Sequence, residues 1–438
     1  MNLERLKSLY SDNGCLKIYV KRLAPNDNSK NQVYLGGSFD ILNIFPITEI
    51  TTDSSGDWER ERFKAKLKFS WIAEDGNLYP APNSQLILYP KYPEVRFSGF
   101  LLGCENSPSE LMTQRLAERI LFLGIASDGT VLGFVDSPES EIASEFQRLD
   151  LGDEHGVFKV ITLPKASNNK EKLISELRRI HELDWITSKR LDRDGNILPC
   201  LSPNCGGYTL EAELGITPNG YSEPDFLGWE VKQFSVTNFA KIGSSVITLM
   251  TPEPTHGFYV SSGAEAFIRK YGYADKTGRP DRMNFGGVHK VGIQHATTNL
   301  KMELIGFDST SGKIRNADGK IALIDNLGNE AACWSFSSLI LHWNRKHNQA
   351  CYVPSKSEVT PIQKYKYGNQ VILGNSTDFQ LFLRQMFLGN IYYDPGIKME
   401  NASGDRKIKK RSQFRIKSQY LSTLYQINEI VNVLDSTT

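Results

Sequence analysis

Strict alternation of apolar and polar residues constrains this chain more than any other feature of its sequence. In RFKAKLKFSWI, residues 62 to 72, every second side chain from Phe63 to Trp71 is apolar, and the side chains between them are lysine or serine. Successive side chains of a β-strand point to opposite faces, so a period of two indicates a half-buried strand. The pattern recurs in LKIYVKRL, and further strands are predicted at SQLILYP, VRFSGFLL, RILFLGIA, TVLGFV and VFKVITL.

Many short strands separated by turn residues predict an all-β, barrel-like domain over residues 1–163. The polar stretch PKASNNKEK, residues 164–172, begins with proline and is typical of a linker. After it, EKLISELRRIHELDWI has helical periodicity, and we expect a mixed α/β domain over 173–438. Helices are predicted near 206–214, 264–271, 335–346, 376–388 and 418–433, and strands near 226–235, 244–250, 291–297, 300–306 and 350–354.

Composition favours a soluble cytoplasmic protein, since 40% of the 438 residues are hydrophobic and 23% are charged. No apolar run approaches the ~20 residues that span a bilayer, and the N-terminus lacks the apolar region of a secretory signal. The six cysteines are widely spaced, which favours reduced, structural thiols. Cys200 and Cys205 have a spacing that would suit zinc, but no second pair at similar spacing accompanies them.

The stretch PDFLGWEVK, residues 224–232, concentrates groups that can act on a phosphodiester. In a strand, Glu230 and Lys232 share one face, and a bend near Gly228 would swing Asp225 towards them. Two adjacent carboxylates repel unless a cation lies between them, and Mg²⁺ prefers such oxygen ligands. An ammonium beside them can hold or deprotonate an attacking water. The alternative is a surface aspartate followed by an ion pair at the edge of a strand.

The stretch GGYTLEAELGI, with PDFLGWEVKQ downstream, closely resembles the catalytic core of the MvaI/BcnI family of restriction endonucleases, relatives of MutH. The resemblance extends through RPDRMNFGGVHK, LILHWNRKHNQACYVP and the segment around KKRSQFRI, and so covers most of 170–438. It implies a PD-(D/E)xK nuclease fold that uses Mg²⁺. It also implies that Asp225 and Glu230 bind the metal and that Lys232 lies near the attacking water. Glu211 matches the helix glutamate of the MutH-like pattern; without the resemblance it would be a solvent-facing helix residue.

The N-terminal stretch IYVKRLAPNDNSKNQVYLGGSFDILNIFP resembles the effector domain of EcoRII-like enzymes, a pseudobarrel that grips the major groove with two arms. The implied fold is a two-domain one, an N-terminal β pseudobarrel that binds DNA and a C-terminal nuclease. The first arm would span about Lys21 to Asn31, and the second would lie near YPKYPEVRFSGF, which departs from the EcoRII pattern. Candidate contacts in the arms are Lys21, Arg22, Asn26, Asp27, Lys30 and Arg96.

Basic residues cluster in RKIKKRSQFRIK, residues 406–417, although the chain as a whole carries a net charge of only +1. Such a segment attracts phosphate, or else forms a solvated basic face. Candidate DNA contacts in the nuclease domain are Arg282, His289, Lys409, Lys410, Arg411 and Arg415. For His289 a structural role is an equal alternative, and Arg96 has Glu94 as a possible partner.

Together the two resemblances imply a type II, type IIE-like restriction endonuclease that cuts double-stranded DNA. The resemblance implies a pseudopalindromic CC-N-GG target, such as CCWGG or CCSGG, and a cognate methyltransferase acting on the same site. One active site cuts one strand at a time, so a monomer would make two sequential nicks while its N-terminal domain holds a second site. Two alternatives remain open, namely a repair-type nickase and a DNA-binding protein without activity.

Overall fold

A computed structural model gives the structure of the chain. It describes residues 1–25, 31–37, 41–42, 44–53, 62–89, 94–126, 128–149, 154–202, 204–217, 225–240, 243–316, 318–359 and 361–435, without the side chains of 164–168, 341 and 344–346. The chain divides into two compact units, Met1–Leu173 and Ile174–Thr438. No helix among the described residues is long and apolar enough to span a membrane.

The first unit is rich in β-structure. Its helices are α1 (Leu3–Asp12), α2 (Ser109–Thr113) and α3 (Glu141–Gln147). Its strands are β1 (Lys17–Leu23), β2 (Val33–Gly36), β3 (Ile47–Asp53), β4 (Arg62–Leu67), β5 (Phe69–Ile72), β6 (Leu78–Pro80), β7 (Gln85–Tyr89), β8 (Glu94–Ser98), β9 (Arg119–Ile125), β10 (Val131–Asp136), β11 (Glu154–His155) and β12 (Phe158–Thr162).

These strands form two sheets, one of seven strands in the order β11-β12-β1-β9-β10-β5-β6 and one of five in the order β2-β8-β7-β4-β3. Within the described part of the unit neither sheet closes on itself, so a pseudobarrel is not seen. The strand predicted over 62–72 is divided at Lys68, where the chain passes from the five-stranded to the seven-stranded sheet. Two glycines permit close packing in this unit. A methyl group at Gly124 would lie 2.4 Å from the Tyr10 ring, and a methyl group at Gly133 would lie 2.4 Å from the Phe69 ring.

Helix α4 (Pro164–Glu182) begins in the first unit and ends in the second, so residues 164–172, which are predicted to form a linker, are helical. The apolar stripe is predicted at Leu173, Ile174, Leu177, Ile180 and Leu183. The first four are buried, which confirms most of it, whereas Leu183 is 48% exposed. Burial of this stripe stabilises the helix more than the local propensity of its polar first turns does.

The second unit mixes helices and strands. Its other helices are α5 (Cys205–Glu213), α6 (Phe258–Tyr271), α7 (Phe336–His347), α8 (Phe379–Phe387) and a 3-10 helix, Ser418–Leu424. Its strands are β13 (Ile186–Thr187), β14 (Lys189–Leu191), β15 (Ile197–Pro199), β16 (Glu230–Ser235), β17 (Val246–Met250), β18 (Tyr273–Ala274), β19 (Arg282–Gly286), β20 (Lys301–Ile305), β21 (Phe307–Asp308), β22 (Lys313–Ile314), β23 (Lys320–Ile324), β24 (Glu330–Ser335), β25 (Gln349–Glu358), β26 (Lys364–Tyr367), β27 (Gln370–Thr377), β28 (Ile391–Tyr393), β29 (Gly396–Glu400), β30 (Lys407–Lys409), β31 (Phe414–Lys417) and β32 (Tyr425–Asn432).

A six-stranded sheet organises this unit. Strands β13, β26, β25, β27 and β32 follow one another in that order, and β16 pairs in parallel with β25. The other pairings along the order are antiparallel. The strand that carries the acidic and basic residues of PDFLGWEVK is therefore held against the central part of β25.

Two predicted elements of this unit are wrong. The helix predicted over 418–433 is a 3-10 turn followed by strand β32, because pairing with β27 from Gln370 to Thr377 satisfies the backbone of 425–432. The strand predicted over 291–297 forms only isolated bridges, at Val291 and Gln294. The helices predicted near 206–214, 335–346 and 376–388 are confirmed with small shifts of their ends.

Candidate active site

Strand β16 presents Glu230 and Lys232 on one face of the sheet. In the register with β25, Glu230 lies opposite Ala350 and Lys232 opposite Tyr352, while the intervening Val231 is buried against the other face. Lys232 Nζ lies 2.8 Å from Glu230 Oε1. Glu230 is only 3% exposed, so this ion pair is screened by solvent much less than a surface pair would be.

A tight turn brings Asp225 back to this pair. The amide of Phe226 donates to the carbonyl of Trp229 at 2.9 Å, and the amide of Trp229 donates back at 2.8 Å. The two residues between them, Leu227 and Gly228, have φ of +49° and +88°. Positive φ at both central positions is the pattern of a type I′ turn, which favours glycine. The bend expected near Gly228 is therefore present.

Asp225 lies close enough to Glu230 for the negative charges of the two carboxylates to interact. Its Oδ2 atom accepts a hydrogen bond of 3.1 Å from the amide of Val231. Burial, followed by the negative charge of Glu230, raises the pKa of Asp225 to about 7, and Glu211 adds to the effect. Two carboxylates that oppose each other's ionisation in this way form a site that a cation would stabilise.

The donor set fits a hard divalent cation. Within the described residues, no group of three or more His, Cys, Asp and Glu side chains is arranged to hold a metal ion. Asp225 and Glu230 would therefore supply only part of a coordination shell. Mg²⁺ commonly binds through one or two carboxylates and completes its octahedron with water and phosphate oxygens. A closed structural site of the zinc type, by contrast, does not match this pair.

Glu211 lies on α5, which is docked tightly against the sheet. A methyl group at Gly206 would lie 2.9 Å from Gln233 Oε1, and the Tyr367 hydroxyl donates to the Gly206 carbonyl at 2.7 Å. The negative charge of Glu211 reaches Asp225, where it helps to raise the pKa. The next glutamate of the helix, Glu213, instead pairs with Lys189 at 2.7 Å, so it is an anchored residue and not a solvent-facing one.

One residue beside the site, His347, was not predicted from the sequence as part of it. His347 is fully buried near Lys232, with its ring nitrogens 3.2 Å from the Trp343 carbonyl oxygen and 3.1 Å from that of Leu249. Burial, and the charge of Lys232, lower the pKa of His347. The signal in the sequence was the apolar helix LILHW, whose Trp343 is buried. The register that brings the end of this helix to Lys232 was not visible in the sequence.

Three candidates of the N-terminal unit lie within the described residues. Lys21 lies over the ring of Tyr34 at 5.8 Å, and burial lowers the pKa of its ammonium. Arg22 pairs with Glu118 at 2.5 Å. Arg96 pairs with Glu94 at 3.0 Å. The other three, Asn26, Asp27 and Lys30, lie outside the described residues.

Arg282 and His289 occupy structural positions. The Arg282 guanidinium lies 3.5 Å from Asp275 and donates to Asn284 at 3.1 Å, and its side chain is 9% exposed. The His289 ring is hydrogen-bonded to the Gly287 carbonyl at one nitrogen and to Thr298 Oγ1 at the other, both at 2.9 Å. Burial lowers the pKa of His289 to about 4. Both side chains fix the protein's own loops in this structure.

The basic residues near the C-terminus fall into two groups. Lys409, Lys410 and Arg411 are exposed, and Lys409 lies opposite the exposed Lys398 in the β29–β30 hairpin. Like charges that face each other across strands destabilise the pair unless an anion screens them. Arg415, by contrast, is held by Asp394 at 2.6 Å. Lys409, Lys410 and Arg411 therefore have the chemistry expected of a phosphate contact. Lys398 was not among the predicted contacts because it lies outside the basic segment 406–417.

Cys200 and Cys205 form a disulfide with a Cα–Cα distance of 5.7 Å, which overturns the expectation that the thiols are reduced. This separation lies within the range that a disulfide can bridge. Among the described residues the other four cysteines are free. The bond closes the loop that leads into α5, and it uses both residues that the sequence had offered to zinc.

Comparison with known proteins assigns the second unit. The model of the MvaI/BcnI restriction endonuclease family matches residues 174–425. The chain therefore belongs to the MvaI/BcnI restriction endonuclease family. The N-terminal unit lies outside that match. The comparison with curated proteins finds no relative.

Two solved structures are similar to the chain. Restriction endonuclease MvaI in complex with cognate DNA substrate is 19% identical, with a TM-score of 0.45, over 60% of this chain and 98% of that one. MvaI in the absence of DNA is 18% identical, with a TM-score of 0.33, over 60% of this chain and 97% of that one.

Proposed function

We propose that this protein is a type II restriction endonuclease that hydrolyses phosphodiester bonds of double-stranded DNA with Mg²⁺. The observation that carries the proposal is the meeting of Asp225, Glu230 and Lys232 at one turn and one strand, in a chain of a restriction endonuclease family. The raised pKa of Asp225 supports a cation between the carboxylates, because a positive charge there would offset both the burial and the repulsion from Glu230 that raise it.

In this proposal each residue has a defined task. Asp225 and Glu230 bind Mg²⁺, which when bound stabilises the charge that develops on phosphate and lowers the pKa of water. Lys232 orients the attacking water and, held 2.8 Å from Glu230, cannot swing into solvent without breaking the ion pair. Glu211 orients the lysine or the water from α5. The buried surroundings strengthen each of these electrostatic interactions.

The N-terminal unit is proposed to be an effector domain of the EcoRII-like pseudobarrel kind. Its first arm would include Lys21, Arg22 and the undescribed Asn26, Asp27 and Lys30, and its second arm Arg96. The exposed ion pair of Arg22 supports this role, since exposed pairs are weak and a DNA phosphate can replace the acid; the Arg96–Glu94 pair is half-buried. In the nuclease unit, Lys409, Lys410 and Arg411 would contact phosphate.

We propose further that a monomer cuts a CC-N-GG site in two sequential nicks while the effector domain holds a second copy of the site. A cognate methyltransferase would protect the same sequence. The test is digestion of plasmids that carry CCWGG, CCSGG or neither, with Mg²⁺, followed by sequencing of the ends. Linear product that appears after a nicked intermediate, on one plasmid class only, is the expected result. Persistent nicked circles would indicate a nickase. Mg²⁺-independent binding without any cutting would indicate a protein that only binds DNA.

A further inference from the structure

In the six-stranded sheet, the row of directly opposite residues that begins at Glu230 continues into residues with small side chains. Glu230 on β16 lies opposite Ala350 on β25, and Ala350 lies opposite Gly374 on β27. Directly opposite residues of neighbouring strands project from the same face of a sheet. A methyl group at Gly374 would lie 2.4 Å from the ring of Tyr425, so the ring lies directly over this glycine. The row thus makes room for a large side chain on the face that carries Glu230.

The Tyr425 hydroxyl forms a buried hydrogen bond of 2.8 Å with the hydroxyl of Tyr352. Tyr352 lies on β25 directly opposite Lys232. Since β25 and β32 flank β27 on its two sides, the bond between the tyrosines spans β27 and crosses it above Gly374. This side-chain hydrogen bond joins β32 to β25, the strand that pairs with β16 at Lys232.

The charge of Glu230 reaches both tyrosines. Burial above all, with the Glu230 carboxylate among the smaller causes, raises the pKa of Tyr352 and of Tyr425 well above the usual value. Both phenols therefore stay protonated and the pair is neutral. The two hydroxyls lie within electrostatic range of the Glu230 carboxylate, and fixed dipoles in a buried site hold a charged group in one orientation.

We propose that Tyr352 and Tyr425 are a positioning pair for the cleavage reaction, which fixes Lys232 and Glu230 relative to Asp225. The inference rests on the catalytic role proposed above for those residues. Neither tyrosine is assigned contact with DNA or metal. A pair with only a structural role would affect cleavage solely through the stability of the fold, and this difference makes the two roles separable.

The test uses the full-length chain and the variants Tyr352→Phe, Tyr425→Phe and the double variant. Each single variant leaves one hydroxyl buried without its partner, so we expect a lower Tm, whereas the double variant removes both hydroxyls and should regain most of it. Single-turnover cleavage in Mg²⁺ should fall on the order of tenfold in all three variants, because small displacements of catalytic groups have large effects on rate. The Kd for a cognate duplex, measured with Ca²⁺ in place of Mg²⁺, should change less than about twofold, since neither tyrosine is assigned contact with DNA.

Tyr10→Phe is the matched control, because the Tyr10 hydroxyl is also buried and donates to the Phe122 carbonyl at 3.0 Å in the first unit. It should lower Tm without a change in the cleavage rate. If the double variant regains stability and also cuts at the wild-type rate, the positioning role is wrong. A rate that falls only in parallel with Kd or Tm contradicts it equally. Absence of cutting by the wild-type protein would overturn the proposed function itself, and with it the positioning role.

Discussion

The amide of Val231 donates a hydrogen bond of 3.1 Å to Asp225, six positions earlier in the chain. Through this bond the main chain of the strand that carries Glu230 and Lys232 fixes the third member of the site. The bond can form only if the chain reverses within the two residues Leu227 and Gly228. The conformation of that turn is thus a determinant of the distances between the proposed catalytic groups.

The variant Gly228→Ala should therefore impair cleavage more than stability. At a φ of +88° an added Cβ is strained, which costs about 1 kcal/mol of folding free energy, and the strain would shift Asp225. Single-turnover rate and thermal unfolding are the measurements. Gly195→Ala is the control, because Gly195 has a φ of +83° with nothing within 4 Å of its Cβ position, in a turn between β14 and β15. Equal effects of both variants on cleavage would contradict a specific role of the Gly228 turn.

The variant Lys232→Ala should abolish cleavage and leave DNA binding nearly intact. Loss of a general acid–base or water-orienting group costs about 10²- to 10⁴-fold in rate. The measurements are plasmid cleavage in Mg²⁺ and duplex binding in Ca²⁺. Lys68→Ala removes an exposed ion pair with Asp128 of 2.5 Å in the first unit and should cut normally. Cleavage retained by Lys232→Ala would remove this lysine from the mechanism.

Replacement of Lys409, Lys410 and Arg411 together by Gln should weaken DNA binding. The slope of log K against log salt should become shallower by about 0.9 for each phosphate that the variant no longer neutralises. Arg282→Gln, which removes a paired and mostly buried cation, should lower Tm and leave the salt slope unchanged. Fluorescence anisotropy over a range of salt concentrations measures both slopes. An unchanged slope in the triple variant would exclude these residues from phosphate binding.

Burial of His289 should lower the free energy of unfolding of the protein at acid pH. Burial lowers the pKa of His289 from 6.5 to about 4, so the unfolded chain binds a proton more readily than the folded one. Its contribution, which is roughly 3 kcal/mol at most, is fully present above pH 6.5 and is lost as pH falls towards 4. Denaturant unfolding at several pH values measures this. His289→Gln should flatten the dependence over that window, and an unchanged dependence would show that other groups cause it.

Reduction of the Cys200–Cys205 disulfide should lower stability by about 2 kcal/mol, the value expected for a loop this short. Thermal unfolding with and without dithiothreitol is the measurement. Cys200→Ser provides the control, because its Tm should already be lowered and should not respond to the reductant. A wild-type Tm that is insensitive to full reduction, checked by thiol titration, would contradict a stabilising role.

Sequence patterns predict the structure well where the pattern is local. Glu230 and Lys232 share a face because they are two apart in a strand, and Gly228 permits the turn before them. The prediction is wrong at 418–433, whose apolar residues suit a helix or a strand and whose pairing with β27 decides between them. It is also wrong at Lys68, where the chain changes sheets and the Lys68 carbonyl accepts from the amide of Val131 at 2.8 Å, a residue distant in the sequence.

The DNA-contact candidates illustrate a second limit. Arg282 and Arg415 have the same charge and chemistry as Arg411, yet their acidic partners Asp275 and Asp394 are brought to them by tertiary folding. A basic residue can be assigned to phosphate only when its neighbours in space are known. The tyrosines Tyr352 and Tyr425 were missed for the same reason, since they are far apart in the chain and meet only across β27.

Leu227 occupies the first central position of the active-site turn with a φ of +49°, where Asn-Gly would be the preferred dipeptide. A leucine in this left-handed conformation costs about 1 kcal/mol more than asparagine would. A single substitution at Leu227 could therefore raise the stability of the fold, immediately beside the proposed catalytic residues. A substitution at Leu227 that relieves this strain would also alter the turn that positions Asp225. Thermal stability and cleavage rate are therefore expected to change together at this position.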